Sequence, residues 1–66
     1  MQLYVNGDPR DLPAGATVAT LVEMLSLGGG RIAVEVNEEL VPRSTYGERM
    51  LDEGDRVEIV HAIGGG

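Results

Sequence analysis

Only one stretch of this chain carries a clear helical period. Val18, Leu21, Val22 and Leu25 fall at i, i+3, i+4 and i+7, which is one face of a helix. The other apolar segments are short, and most alternate with polar residues in the two-residue period of a half-buried strand. One helix and several short strands in 66 residues leave room for a single domain, with the helix laid over one face of a sheet. A domain this small is marginally stable, and with no cysteine it has no disulfide to help it.

The pattern predicts the elements in order. Leu3 and Val5, between Gln2, Tyr4 and Asn6, read as a first strand. Asn6-Gly7-Asp8 is a hairpin signal, and residues 9–12 form the returning strand, placed at a sheet edge by Pro9. Thr17 is a good helix N-cap, because its hydroxyl can accept from an early backbone N–H. Thr20 and Glu23 point away from the apolar stripe, and Gly28-Gly29-Gly30 stops the helix. Ile32, Val34 and Val36 alternate as the next strand, followed by a polar turn at Asn37-Glu38-Glu39. Leu40-Val41 is a short strand ended by Pro42. Residues 43–50 form a loop with a helical turn, pinned by Tyr46 and Leu51. After a tight turn at Asp52-Glu53-Gly54-Asp55, residues 56–63 make the last strand. It has Val57, Ile59, His61 and Ile63 on one face and Glu58, Val60 and Ala62 on the other. The organisation expected is a domain over residues 1–63 and a glycine tail over residues 64–66.

Charge narrows the partners. Eleven Asp and Glu stand against five Arg, with no Lys, for a net charge of −6. A phosphate backbone repels such a surface, so nucleic acid is not an expected partner, whereas a protein with a basic docking face is. No apolar run approaches the roughly 20 residues a membrane helix needs, so no membrane partner is expected. Residues 1–8 lack the basic and apolar regions of a secretory signal, and a cytoplasmic location is expected.

The residues supply no catalytic constellation. His61 is the one histidine, and it reads as a strand residue whose ring packs or hydrogen-bonds locally. One His without Cys is a poor zinc set, and no metal is expected. Ser26 and Ser44 have no evident histidine base. The Gly28–Gly30 run lacks the Lys-Ser/Thr of a phosphate loop, and it leaves a helix instead of opening one. Met24 and Met50 are expected to fill the core. The acidic pairs Glu38-Glu39 and Asp52-Glu53 lack EF-hand spacing and read as solvated turns.

The glycine end has a physical use of its own. Residues without Cβ can thread a narrow cleft that side chains would block, and three of them carry a carboxylate about 10 Å beyond a strand. A carboxylate becomes an acyl donor once adenylated, and a sulfur nucleophile then converts the acyl-adenylate to a thiocarboxylate.

The order strand, strand, helix, strand, short strand, turn, strand resembles the β-grasp, or ubiquitin-like, architecture. That is an α+β fold with a mixed four- to five-stranded sheet, in which the first and last strands lie side by side under the helix. Beyond the fold, the chain is similar to the ThiS-like sulfur carriers of thiamine (thiazole) biosynthesis. The matching segments are Asn6-Gly7, Ala14-Gly15-Ala16-Thr17-Val18, Leu21 with Leu25, Ala33-Val34-Glu35-Val36-Asn37-Glu38-Glu39, Leu40-Val41-Pro42-Arg43, the run from Leu51 to Val60, and the Gly65-Gly66 end.

This resemblance implies a carrier acted on by enzymes, not an enzyme. Gly66 would be the adenylate and thiocarboxylate site, with Gly65 and Gly64 giving access. ATP would be consumed by an activating partner, an E1-like adenylyltransferase of the ThiF type, and no cofactor would be bound by the carrier. Sulfur would come from a donor such as a cysteine desulfurase and pass to a thiazole synthase of the ThiG type. Strand alternation places Tyr4, Val60 and Ala62 on the sheet face away from the helix, the expected docking surface. Two alternatives stay open: the small sulfur-carrier subunit of molybdopterin synthase, and a β-grasp interaction module or protein modifier.

Overall fold

The computed structural model describes residues 1–25 and 31–61. Strands β1 (Gln2–Val5) and β2 (Asp8–Asp11) form an antiparallel hairpin. Helix α1 (Val18–Met24) follows, then β3 (Ile32–Val36) and β4 (Glu39–Val41), a 3-10 turn at Arg43–Thr45, and β5 (Arg56–His61). The sheet order is β2-β1-β5-β3-β4, with β1 and β5 parallel and every other pair antiparallel. This is the β-grasp: a mixed five-stranded sheet with its first and last strands side by side and one helix on one face.

The core is the interior of that sandwich. Leu3, Val34, Val36 and Val57 from the sheet and Val18 and Leu21 from the helix are fully buried. Val5, Leu12, Val22, Val41, Tyr46, Leu51 and Ile59 close around them. The stripe read from the sequence is therefore the packed one, with Leu25 partly buried at the helix end. Thr17 caps α1 as expected, and Thr20 answers it. The Thr17 side chain accepts from the Thr20 backbone N–H at 3.3 Å, and the Thr20 hydroxyl accepts from the Thr17 N–H at 3.1 Å. Thr20 thus completes a capping box, a role its place off the apolar stripe does not reveal.

Two expectations for the methionines are corrected. Met24 is 56% exposed and Met50 53% exposed, so neither fills the core. Met24 lies beside the helix stripe instead of on it. At Met50 the chain makes a single bridge to Thr17, and the inward position passes to its neighbour Leu51. Pro9 does lie on the edge strand, but β2 begins one residue earlier, because a two-residue turn pairs Val5 with Asp8. The Gly28–Gly30 run lies outside the described residues; the helix itself ends at Met24. No helix among the described residues is long and apolar enough to cross a membrane.

Candidate functional site

β5 leads toward the expected site, because in sequence the chain runs from it into the glycine end. It is a central strand, gripped from both sides. β3 pairs with it from Ile32↔His61 to Val36↔Val57. β1 is shorter and pairs only at Tyr4↔Arg56 and Val5↔Val57. Beyond that point the Asn6 side chain takes over. Its Nδ2 donates to the Ile59 carbonyl at 3.1 Å, and its Oδ1 accepts from the Ile59 N–H at 2.9 Å. At the start of β5 and on its other flank, the Asn37 Oδ1 accepts from the Arg56 N–H at 3.0 Å, while its Nδ2 donates to Asp55 at 3.0 Å. Two asparagines, each at φ 51° just past a strand end, thus clamp β5 at its first residue and near its middle.

The face of the sheet away from α1 is open. Tyr4 is 41% exposed and Val60 63%, so both docking residues expected from strand alternation stand on this face, available to a partner. Ala62, Gly64, Gly65 and Gly66 lie outside the described residues. Leu40, 67% exposed, joins the same face and was not singled out from the sequence. Its signal is in the register. A two-residue turn pairs Val36 with Glu39, so Leu40 falls opposite Glu35 on the open side, while Val41 falls opposite buried Val34. Glu35 in turn sits directly opposite Glu58 on β5. Like charges in facing positions cost a sheet stability, and they make this face acidic between its apolar residues.

An open cleft of about 640 Å³ lies on this side, bordered by Tyr4, Glu38, Arg56 and Glu58. It lies toward the start of β5, away from the end that leads to Gly66. His61, expected to pack or bond locally, is exposed at the end of β5. Ser44 is exposed on the 3-10 turn, and Ser26 lies outside the described residues. Among the described residues no three His, Cys, Asp or Glu side chains gather as a metal site.

The ThiS family model matches residues 3–66, nearly the whole chain. This chain belongs to the ThiS family. It is 30% identical to the sulfur carrier protein ThiS of Escherichia coli, over the full length of both chains. The crystal structure of the thiamine biosynthesis protein ThiS from Geobacter metallireducens superposes with a TM-score of 0.85 at 30% identity, again covering both chains completely. A thiazole synthase of Magnetococcus marinus is 42% identical over all 66 residues, but the chain spans only 20% of that longer protein. The sequence likeness thus extends both to a chain of this size and to one stretch of a larger polypeptide.

Proposed function

We propose that this chain is the sulfur carrier for thiazole formation in thiamine biosynthesis, with Gly66 as the carrier site. The observation that carries the reading is the extent of the family match, which runs from the first strand through Gly66. In the proposed cycle, one oxygen of the Gly66 carboxylate attacks the α-phosphorus of ATP on an activating enzyme. Pyrophosphate leaves and an acyl-adenylate forms. Sulfide attacks the acyl carbon directly, or a donor persulfide attacks it and a thiol then cleaves the acyl disulfide and itself ends as a disulfide; in either case AMP leaves and the thiocarboxylate remains. Transfer of that sulfur to the thiazole precursor, with an oxygen from the precursor or from water taking its place on the acyl carbon, returns the carboxylate. The chain is acted on throughout; ATP belongs to an E1-like adenylyltransferase, and the sulfur to a donor such as a cysteine desulfurase. Gly64 and Gly65 provide clearance in the partners' clefts, and residues 1–63 form the handle.

A thiazole synthase is the receiving partner in this reading. Support comes from the relative named thiazole synthase, in which a stretch similar to this chain shares one polypeptide with the rest of that protein. Such linkage raises the effective concentration of one module at another.

The open face is the proposed docking surface. Tyr4, Leu40 and Val60 offer apolar area, and Glu35 and Glu58 beside them favour a partner with basic groups around an apolar centre. Val60→Asp, on an exposed position, should leave the fold intact and slow activation of the carrier about tenfold or more, as loss of a central interface residue does.

The test of the carrier reading is intact mass after incubation with ATP, a sulfide source and an activating enzyme competent on its own carrier. Exchange of one oxygen for sulfur, lost on deletion of Gly66, is the expected result. An unchanged mass would sink the reading and leave a β-grasp interaction module.

A further inference from the structure

We infer that Asn6 is a site of spontaneous deamidation, guarded by the fold, whose modification releases the outgoing half of β5. The inference is independent of what the chain carries.

The chemistry needs only water. The Gly7 backbone nitrogen, giving its proton to solvent, attacks the Asn6 side-chain carbonyl carbon. A carbon–nitrogen bond closes a five-membered imide, and the bond to Nδ2 breaks with departure of ammonia. Water then opens the imide at either carbonyl. One product is aspartate; the other is isoaspartate, in which the main chain runs through the side-chain carbon. No electrons are exchanged. Asparagine is thermolabile in this way, and the reaction is favoured here because Gly7 brings no side chain to the attacking nitrogen.

The folded chain opposes the reaction. Both polar atoms of the Asn6 amide are committed to Ile59, at 3.1 and 2.9 Å, so turning the amide carbon toward Gly7 sacrifices both bonds. Attack therefore requires local opening or unfolding. Asn37 is an internal control. It holds the same φ of 51°, but its successor is Glu38, whose side chain hinders ring closure.

Among the described residues, nothing else on that flank replaces what modification removes. The paired register of β1 with β5 ends at Val5↔Val57, so the Ile59 carbonyl depends on the Asn6 Nδ2 for its donor there. An aspartate keeps an acceptor for the Ile59 N–H but sets a carboxylate against that carbonyl. Isoaspartate also lengthens the main chain in a two-residue turn. Either product loosens β5 near His61, the last described residue before the glycine end.

The experiment ages the full chain in neutral buffer, folded and in concentrated urea, and then follows deamidation in the tryptic peptide ending at Arg10 with an isoaspartate assay. Conversion at Asn6 is expected to be at least about tenfold faster in urea, with Asn37 lagging in both. Equal rates in the folded and unfolded chain would overturn the guard. In the second arm, hydrogen exchange at the Ile59 amide is compared with Leu21 in the same sample, for the chain and for Asn6→Asp. The Ile59-to-Leu21 ratio is expected to rise about tenfold or more in the variant. An unchanged ratio in a folded variant would overturn the claim that the amide holds β5. The urea comparison needs no variant and decides the matter should Asn6→Asp not fold.

Discussion

The Asn6-Gly7 and Asn37-Glu38 turns occupy matching places in two hairpins, yet they solve the same backbone problem differently. Each joins antiparallel strands through two residues at positive φ, the type I′ geometry that suits the twist of a hairpin. Each opens with an asparagine at φ 51°, and each asparagine extends its side chain to β5. They differ at the second position. Gly7 takes φ 86° freely, whereas Glu38 takes φ 69° with a Cβ that this region disfavours. They differ also in what the asparagine reaches. Asn6 makes two partly buried bonds to one backbone residue, and Asn37 makes two exposed bonds split between Arg56 and Asp55. The first position of each turn is set by its clamp on β5. At the second, a left-handed backbone is required of both, and only Glu38 carries a side chain there, although Gly7 and Glu38 line the same open cleft.

Removing the better-protected clamp has the largest expected effect. Asn6→Ala leaves both polar groups of Ile59 without their partner and should lower stability by about 1–3 kcal/mol, read from the urea midpoint at constant slope. Next is Gly7→Ala, which forces a Cβ into the left-handed region and should cost about 1–2 kcal/mol by the same measurement. Asn37→Ala should cost less than Asn6→Ala, about 0.5–1 kcal/mol, because water can replace exposed bonds. Equal losses for the two alanine variants would break the distinction between the turns. The smallest effect has the opposite sign. Glu38→Gly relieves the left-handed side chain at some entropic expense and should raise stability by about 0.5 kcal/mol. A loss there would mean that the Glu38 side chain contributes more than its backbone strain costs.

Much of this was legible beforehand, and the failures have common causes. Periodicity located α1, β3 and β5 because their buried positions recur at regular intervals, and Thr17 announced its own cap. Pro9 marked an edge strand because it lacks a donor. Tyr4 and Val60 followed from strand parity within single elements. Leu40 did not, because β4 is three residues long and its parity is known only after counting across the Asn37-Glu38 turn. Met24 and Met50 were misplaced because hydrophobicity alone says nothing about which side of an element faces inward. The clamps on β5 were hidden for a different reason. Asn6 and Ile59 are 53 positions apart, and no local pattern foretells that pairing. Gly66, the proposed carrier position, rests on chemistry and kinship and not on described geometry.

The central place of β5 has a mechanical consequence. An edge strand pulled from its end peels away one bond at a time, whereas an inner strand loaded along its axis strains the ladders on both flanks together. The polypeptide that continues into the glycines does so from the strand with a ladder on each side. A tug along the axis of β5 is thus borne by the β3 ladder up to His61 and, on the other flank, by β1 through Val57 and by the Asn6 clamp at Ile59.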